Sequence, residues 1–314
     1  MTADRPVVSV CIAAFNAEPY LEETVASVQA QGVEALEMII VNDGSTDGTL
    51  SLAHRLSEAD DRIIVVDQPN SGSCVARNTA FERARGQYIC TLDADDIWPA
   101  GKLTDQLSLL EKHPDSIVIG GVKRFRDRDG ERVWGEETLP FHAADRKKYL
   151  KHLLSMPDVE KVLLNTLCAP AGFIKANNWN PEFRTGHDWE VWIRLAYKHP
   201  FIHAPQIYQF YRKHPVSTTK RNRVRMVGDC QLKVIERHGP TICDSRSELN
   251  RVAAECAMHF ATTSLCMGNK RDALYFLWRA LAAGGVPLLS KRFYAILLKL
   301  IAASGWRSRS PQTG

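Results

Sequence analysis

Several signatures that would narrow the class at once are missing from this chain of 314 residues. Its eight cysteines, Cys11, Cys74, Cys90, Cys168, Cys230, Cys243, Cys256 and Cys266, include no C-x-x-C pair, and no histidine cluster sits at zinc spacing. Several thiols lie inside apolar runs, where a reduced cysteine behaves as a small hydrophobe. A reducing, cytoplasmic setting is expected rather than a disulfide framework. No clean apolar stretch reaches the length of about 18 residues that a spanning helix needs. The apolar run Val7–Phe15 directly follows Asp4, Arg5 and Pro6. It is too short and wrongly flanked for a signal peptide. No G-x-G-x-x-G follows that run, which disfavours a nicotinamide oxidoreductase. Tandem repeats are also absent. Acids are scarce in two places: Arg212–Gly228 carries none beside six Lys/Arg, and Gly268–Gly314 carries only Asp272 beside eight Lys/Arg. Such stretches favour anionic partners: a diphosphate, a phospholipid surface or nucleic acid.

What remains is ordinary for a folded protein: 45% apolar residues, 24% charged and a net charge of +4. The length fits one large domain plus a smaller one. Strands are expected at Val7–Ala14, Met38–Val41, Ile63–Val66 and Tyr88–Leu92. Between them, helices are expected at Glu18–Gln31 (Leu21, Val25 and Val28 on one face), after Thr46 or Asp47 as cap (Leu50, Ala53, Leu56), and at Gly72–Arg85 with Ser73 as cap. This alternation implies βαβ units and a mostly parallel sheet with helices on both faces. Further on, a helix at Leu103–Lys112, a strand at Ser116–Phe125 and a hairpin tip at Asp129-Gly130 are expected. Then come helices at Arg146–Ser155 and Asp188–Lys198, the latter with Glu190 and Arg194 paired opposite its tryptophan face, and an edge strand at Ile207–Arg212. From about Val224 the pattern is helical. The expected domains are therefore 1–223, a helical region 224–306 and a polar tail 307–314.

The chemistry concentrates at strand ends, where open α/β sheets bind their ligands. Asp93-Ala94-Asp95-Asp96 follows the fourth strand. Three carboxylates in four residues repel one another unless a cation neutralises them, and Asp-x-Asp oxygens suit Mg²⁺ or Mn²⁺. A solvated acidic turn is the plain alternative. Asp43, after the second strand, can accept hydrogen bonds from a base or ribose, although a turn and helix cap explain part of that segment. Phe15 and Asn16 end the first strand; a base could stack on Phe15, while a lone Phe is more often core. Asn70, Gly72, Arg77 and Asn78 open a helix whose N-terminus suits a diphosphate, against a plain solvated Arg.

The ordered segments V-S-V-C-I-A-A-F-N, V-N-D-G-S-T-D, N-S-G-S-C-V-A-R-N and L-D-A-D-D resemble the family-2 glycosyltransferases of the GT-A fold, over roughly residues 6–220. The resemblance implies an inverting transfer from a nucleotide sugar. Phe15, Asn16, Glu18, Asp43, Arg77, Asp93 and Ala94 would hold the donor, and Asp93 and Asp95 the metal. It also implies that Asp188 is the general base. Family members usually carry Glu-Asp there; His187 replaces the Glu, which leaves the role of position 187 open. Ala13 and Asn42 stand where Pro and Asp are frequent. Tyr211-Arg212-Lys213-His214 with Ser217 resembles the family's Y-R-x-H segment, so His214 could complete the metal or diphosphate site; a surface His is nearly as common.

The expected partners are a nucleotide-sugar donor, a UDP-sugar by expectation, and a glycan or lipid-linked acceptor, with acceptor choice in a loop such as Trp134–Lys161. Nucleic acid is not expected, since no recognised module accompanies the basic tail. Two other readings stay open on residues alone: a D-x-D phosphohydrolase using Asp93 and Asp95, and a non-catalytic scaffold, since Ser264–Leu281 resembles one tetratricopeptide-type hairpin. Finally, Leu289, Phe293, Ile296, Leu297 and Leu300 form a stripe in Leu288–Ala303 with Lys291, Arg292 and Lys299 opposite. That pattern fits a helix lying on an anionic membrane, or one packed on the preceding hairpin, which is the commoner use of such a stripe.

Overall fold

A computed structural model describes residues 5–141, 145–155, 165–183, 185–214, 224–284, 293–296 and 298. The chain divides into two compact units, Met1–Leu150 with Asp158–Ser217, and Lys151–Pro157 with Thr218–Gly314.

The first unit opens with β1 (Val8–Ala14), α1 (Leu21–Gln29), β2 (Leu36–Asp43), α2 (Thr49–Ala59), β3 (Ile63–Gln68), α3 (Ser73–Arg83) and β4 (Tyr88–Asp93). β1 lies between β2 and β4, with β3 outside β2, and all four are parallel. Their central residues read as continuous apolar runs because both sheet faces are covered. Val10, Ile12, Met38, Ile40 and Cys90 are fully buried in one core with Leu21, Val25 and Val28 of α1. Parallel pairing brings every carboxyl end to one rim, so Phe15, Asp43 and Asp93 follow from the register of three strands.

After β4 come α4 (Lys102–Lys112), β5 (Ile117–Arg128), β6 (Glu131–Thr138), α5 (Arg146–Ser155), β7 (Cys168–Pro170), α6 (Ala171–Lys175), α7 (His187–Lys198) and β8 (Phe201–Arg212). β7 sits between β4 and β5, antiparallel to both; β8 runs parallel to β5. Asp129 and Gly130 make the β5–β6 turn at φ 53° and 79°, the left-handed pair such a hairpin needs.

Local differences from the sequence reading have physical causes. α2 is entered through Gly48, with Asp47 Oδ1 accepting from the Thr49 N–H at 3.0 Å, and Leu52 rather than Leu50 is buried beside Ala53. Ser73 is the first residue of α3 and not its cap; Gly72 precedes it at φ 91°. On α7, Glu190 is only 1% exposed, so the side opposite the tryptophans is also buried, and Arg194 Nε supplies its partner at 2.9 Å. β8 begins at Phe201 rather than Ile207, lengthened by pairing along β5.

The second unit contains α8 (Val224–Ile242), α9 (Arg246–Cys266) and α10 (Lys270–Ala282). Ser245 Oγ accepts from the Glu248 N–H, and Asn269 Oδ1 from the Asp272 N–H, capping α9 and α10. Leu232, Ala257, Phe260, Phe276 and Leu277 form a separate core with Phe293 and Ile296. Those last two belong to the C-terminal stripe and pack inward. Leu289, Leu300, Lys291, Arg292, Lys299 and the side chain of Leu297 lie outside the described residues, as do residues 215–223, the polar tail and parts of the Trp134–Lys161 loop. α8 starts at Val224, and the end of α5 from Lys151 groups with the second unit, which periodicity alone did not reveal. Among the described residues no helix is long and apolar enough to cross a membrane.

Candidate active site

Arg77, on α3, is 7% exposed and reaches three side chains from two other elements. Its Nη2 donates to Asp93 Oδ1 at 2.6 Å; its Nη1 donates to His187 Nε2 at 3.0 Å and lies 3.6 Å from Asp188 Oδ1. One guanidinium therefore ties the end of β4 to the start of α7. Asp188 Oδ1 also accepts from Trp179 Nε1 at 2.7 Å, and Trp179 is itself clamped through its backbone by Asn78, one residue along α3. Asn78 is thus a structural clamp rather than an open diphosphate ligand, and α3 positions Asp188 twice over. Because guanidinium only donates, His187 Nε2 accepts and the ring proton sits on Nδ1. That Nδ1 is buried and has no hydrogen-bond partner.

These contacts set the charges. Burial pushes Asp188 upward, but Arg77 and the Trp179 N–H reverse the effect and hold it below the usual carboxylate range. Burial raises Asp93, Arg77 opposes it, and the nearby Asp95 and Asp188 push it further up.

The Asp93, Asp95 and Asp96 carboxylates bring one oxygen each within 4.8 Å of one another. Thr24 Oγ1 donates to the carbonyls of Ala94 and Asp96, both at 2.9 Å, and fixes the turn that carries them. Asp93 Oδ2 accepts from Asn165 Nδ2 at 2.6 Å, and His214 Nε2 lies 2.8 Å from Asp95 Oδ2. Asp96 is fully buried and points elsewhere: it accepts from the Arg212 N–H at 2.8 Å and from Gln209 Nε2. Burial and then repulsion from Asp95 and Asp93 push it well above the usual carboxylate range. Crowded carboxylate oxygens with an imidazole at their edge make a donor set that fits Mg²⁺ or Mn²⁺.

The remaining predicted donor residues line the two loops beside β1 and β2. Phe15 is half exposed at the rim. Asn16, at φ 49°, accepts from the Thr46 N–H at 2.8 Å, and Glu18 Oε2 accepts from the Gly48 N–H at 2.8 Å. Asp43 accepts from the N–H groups of Ser71 and Gly72 at 2.9 and 2.8 Å and from Gln68 Nε2 at 2.8 Å, shaping the turn into α3. Gly44 is needed there: at φ 68°, an added Cβ would lie 2.6 Å from Asn70 N. The sequence points to neither Asn165 nor Trp179, and to Asp96 only as the third carboxylate of the acidic run.

Residues 9–164 match the profile of Glycosyl transferase family 2. The glycosyltransferase TuaG of Bacillus subtilis, named for teichuronic acid biosynthesis, is 36% identical over 203 residues, spanning 63% of this chain and 75% of its own. An uncharacterized glycosyltransferase of Haemophilus influenzae is 38% identical over 224 residues, 68% of each chain. The chain belongs to glycosyl transferase family 2 and is a glycosyltransferase, which sets aside the phosphohydrolase and scaffold readings. In fold it is similar to S. aureus TarS 1-349 (TM-score 0.62, 17% identity, 94% of this chain and 88% of that one). It is also similar to the mannosyltransferase PcManGT from Pyrobaculum calidifontis, solved with GDP-Man and Mn²⁺ (TM-score 0.54, 18% identity, 96% and 87%).

Proposed function

We propose that this glycosyltransferase is inverting and metal-dependent. It moves a sugar from a UDP-sugar to a hydroxyl of a glycan or lipid-linked acceptor in cell-surface polysaccharide synthesis, as a cytoplasmic protein working peripherally at the inner face of the membrane. The observation that carries the reading is the separation of roles around Arg77: a low-pKa carboxylate, Asp188, stands on one side and the Asp93–Asp95 pair on the other. The polysaccharide pathway draws on TuaG's name. Donor class draws on the S. aureus TarS structures with UDP and with UDP-GlcNAc and on the GDP-Man and Mn²⁺ complex of the mannosyltransferase.

In this mechanism Asp188 is ionised and takes the proton of the attacking hydroxyl. The acceptor oxygen bonds to the anomeric carbon as the bond to the diphosphate oxygen breaks, and the electron pair leaves with the nucleoside diphosphate. Attack opposite the leaving group inverts the centre; retention by double displacement would require a carboxylate nucleophile as well. Asp93 and Asp95, with His214 alongside, would hold a divalent cation, which supplies positive charge for the departing diphosphate. Phe15, Asn16, Glu18, Asp43 and Arg77 hold the nucleotide in this reading, Phe15 by its exposed face and Asp43 through the turn it braces at Ser71 and Gly72.

Calorimetry with UDP, with and without Mn²⁺, tests the donor side. Tight binding only with metal is expected, and its loss in Asp95→Ala. Equal affinity in EDTA overturns the metal dependence, and no binding of any nucleoside diphosphate overturns the donor. On the same footing, Asp188→Asn should keep UDP affinity and lose about 10²–10⁴-fold in transfer. Transfer that persists while donor affinity falls would make Asp188 a binding residue.

A further inference from the structure

The C-terminal stripe was the sequence's candidate for a membrane face, but its described members Phe293 and Ile296 are buried in the core of the second unit. The exposed apolar surface lies elsewhere. α10 is apolar on two sides. Its inner side, Ala273, Phe276, Leu277 and Ala280, completes the core. Its outer side presents Leu274, Trp278 and Leu281 at 53%, 62% and 39% exposure, spaced i, i+4, i+7. Tyr294 and Leu298, on the helical residues further along the chain, are also exposed, at 52% and 65%. A surface helix normally turns polar residues outward, and an exposed row of large apolar side chains marks an interaction site.

We propose that the outer face of α10 docks the protein on an anionic lipid bilayer. Trp278 stands in the middle of the row, and an indole, apolar with one N–H, suits the headgroup level. Lys270 and Arg271 are exposed at the head of the helix, with Arg271, Leu274 and Trp278 at i, i+3, i+7. From Gly268 to Gly314 eight Lys/Arg stand against one acid. Two copies meeting through this face would bring two Lys270–Arg271 pairs together, whereas anionic headgroups neutralise them. Apolar insertion and basic attraction are each weak, and together they suffice for reversible attachment. The surface deepens the proposed reading, on which it rests only for its purpose: a lipid-linked acceptor is found at such a boundary.

The test uses full-length protein and sedimentation with vesicles of phosphatidylcholine alone or mixed with phosphatidylglycerol. Wild type should pellet with the anionic vesicles, less so in high salt, with a blue shift in tryptophan emission. Leu274→Ser combined with Trp278→Ser, and separately Lys270→Glu combined with Arg271→Glu, should each lower the partition by about tenfold or more. Both should retain UDP affinity with Mn²⁺, which separates failure of this surface from failure of the enzymatic reading. If the apolar pair disturbs folding, judged by thermal melting, the charge pair carries the comparison. Wild type remaining in the supernatant with anionic vesicles at low salt overturns the proposal, as does undiminished pelleting of the variants. A wild-type dimer that the apolar variant converts to monomer, without vesicle binding, assigns the face to a second copy and overturns it as well.

Discussion

Removing the Arg77 guanidinium leaves Asp93 and Asp188 without the one cation that, among the described residues, both touch, and the arginine itself is buried. A buried ion pair adds little net stability, but deleting one partner strands the other. For Arg77→Gln that cost is about 3 kcal/mol. The sign of its pH dependence follows from Asp188. Its pKa in the folded protein is depressed, so the stability it contributes is fully present above the ordinary carboxylate pKa of about 4 and is lost as pH falls through the lower folded value. In the variant both carboxylates lose their cation, keep only the Trp179 and Asn165 N–H donors, and protonate more readily. The difference in melting temperature between wild type and Arg77→Gln should therefore be largest at neutral pH and shrink as pH falls through the carboxylate range. A constant difference across that range would mean that Arg77 stabilises by packing alone. The sequence singles out Arg77, Asp93 and Asp188 separately but not their convergence, because nothing in the spacing of residues 77, 93, 187 and 188 says that one guanidinium reaches them all.

At the scale of elements, β8 is held against the end of β4 by Asp96. Asp96→Ala would leave the Arg212 N–H and Gln209 Nε2 without their acceptor, at about 1–3 kcal/mol for each buried group. His214 is two residues beyond Arg212 and touches Asp95, so loosening β8 should also weaken Mn²⁺ binding, by about tenfold. Asp96→Asn keeps an acceptor oxygen and should lose less of both. Urea titration together with Mn²⁺ binding followed by electron paramagnetic resonance checks this. Full loss of Mn²⁺ affinity in Asp96→Asn, with stability unchanged, would identify Asp96 as a ligand and not a brace. From the sequence, Asp93 and Asp95 stand out as Asp-x-Asp, but nothing says where the adjacent Asp96 points. Only β8, more than a hundred residues away, turns it into the core. The first four strands were legible because each is a bounded apolar run alternating with a helical period. β7 was not, since three residues, Cys168–Pro170, carry no period, and its place between β4 and β5 depends on pairing alone. Trp179 left one faint signal, an indole N–H that needs a partner once buried; Asn165 left none.

At the scale of the molecule, the sheet-centred core around Val10, Ile12 and Met38 and the helical core around Phe260 and Phe276 share no residue. Each unit therefore has its own source of cooperativity, and the site residues Arg77, Asp93, Asp95, Asp188 and His214 all fall in the first. Phe276 is fully buried, and its loss from the smaller core should cost about 3–5 kcal/mol, a large share of the 5–15 kcal/mol that stabilises a typical domain. Phe276→Ala should accordingly shift one of two calorimetric transitions to lower temperature and leave the other in place. UDP affinity with Mn²⁺, measured below the shifted transition, should match wild type. If instead a single transition moves as a whole and nucleotide affinity falls with it, the two cores fold as one body and the helical region supports the active site directly.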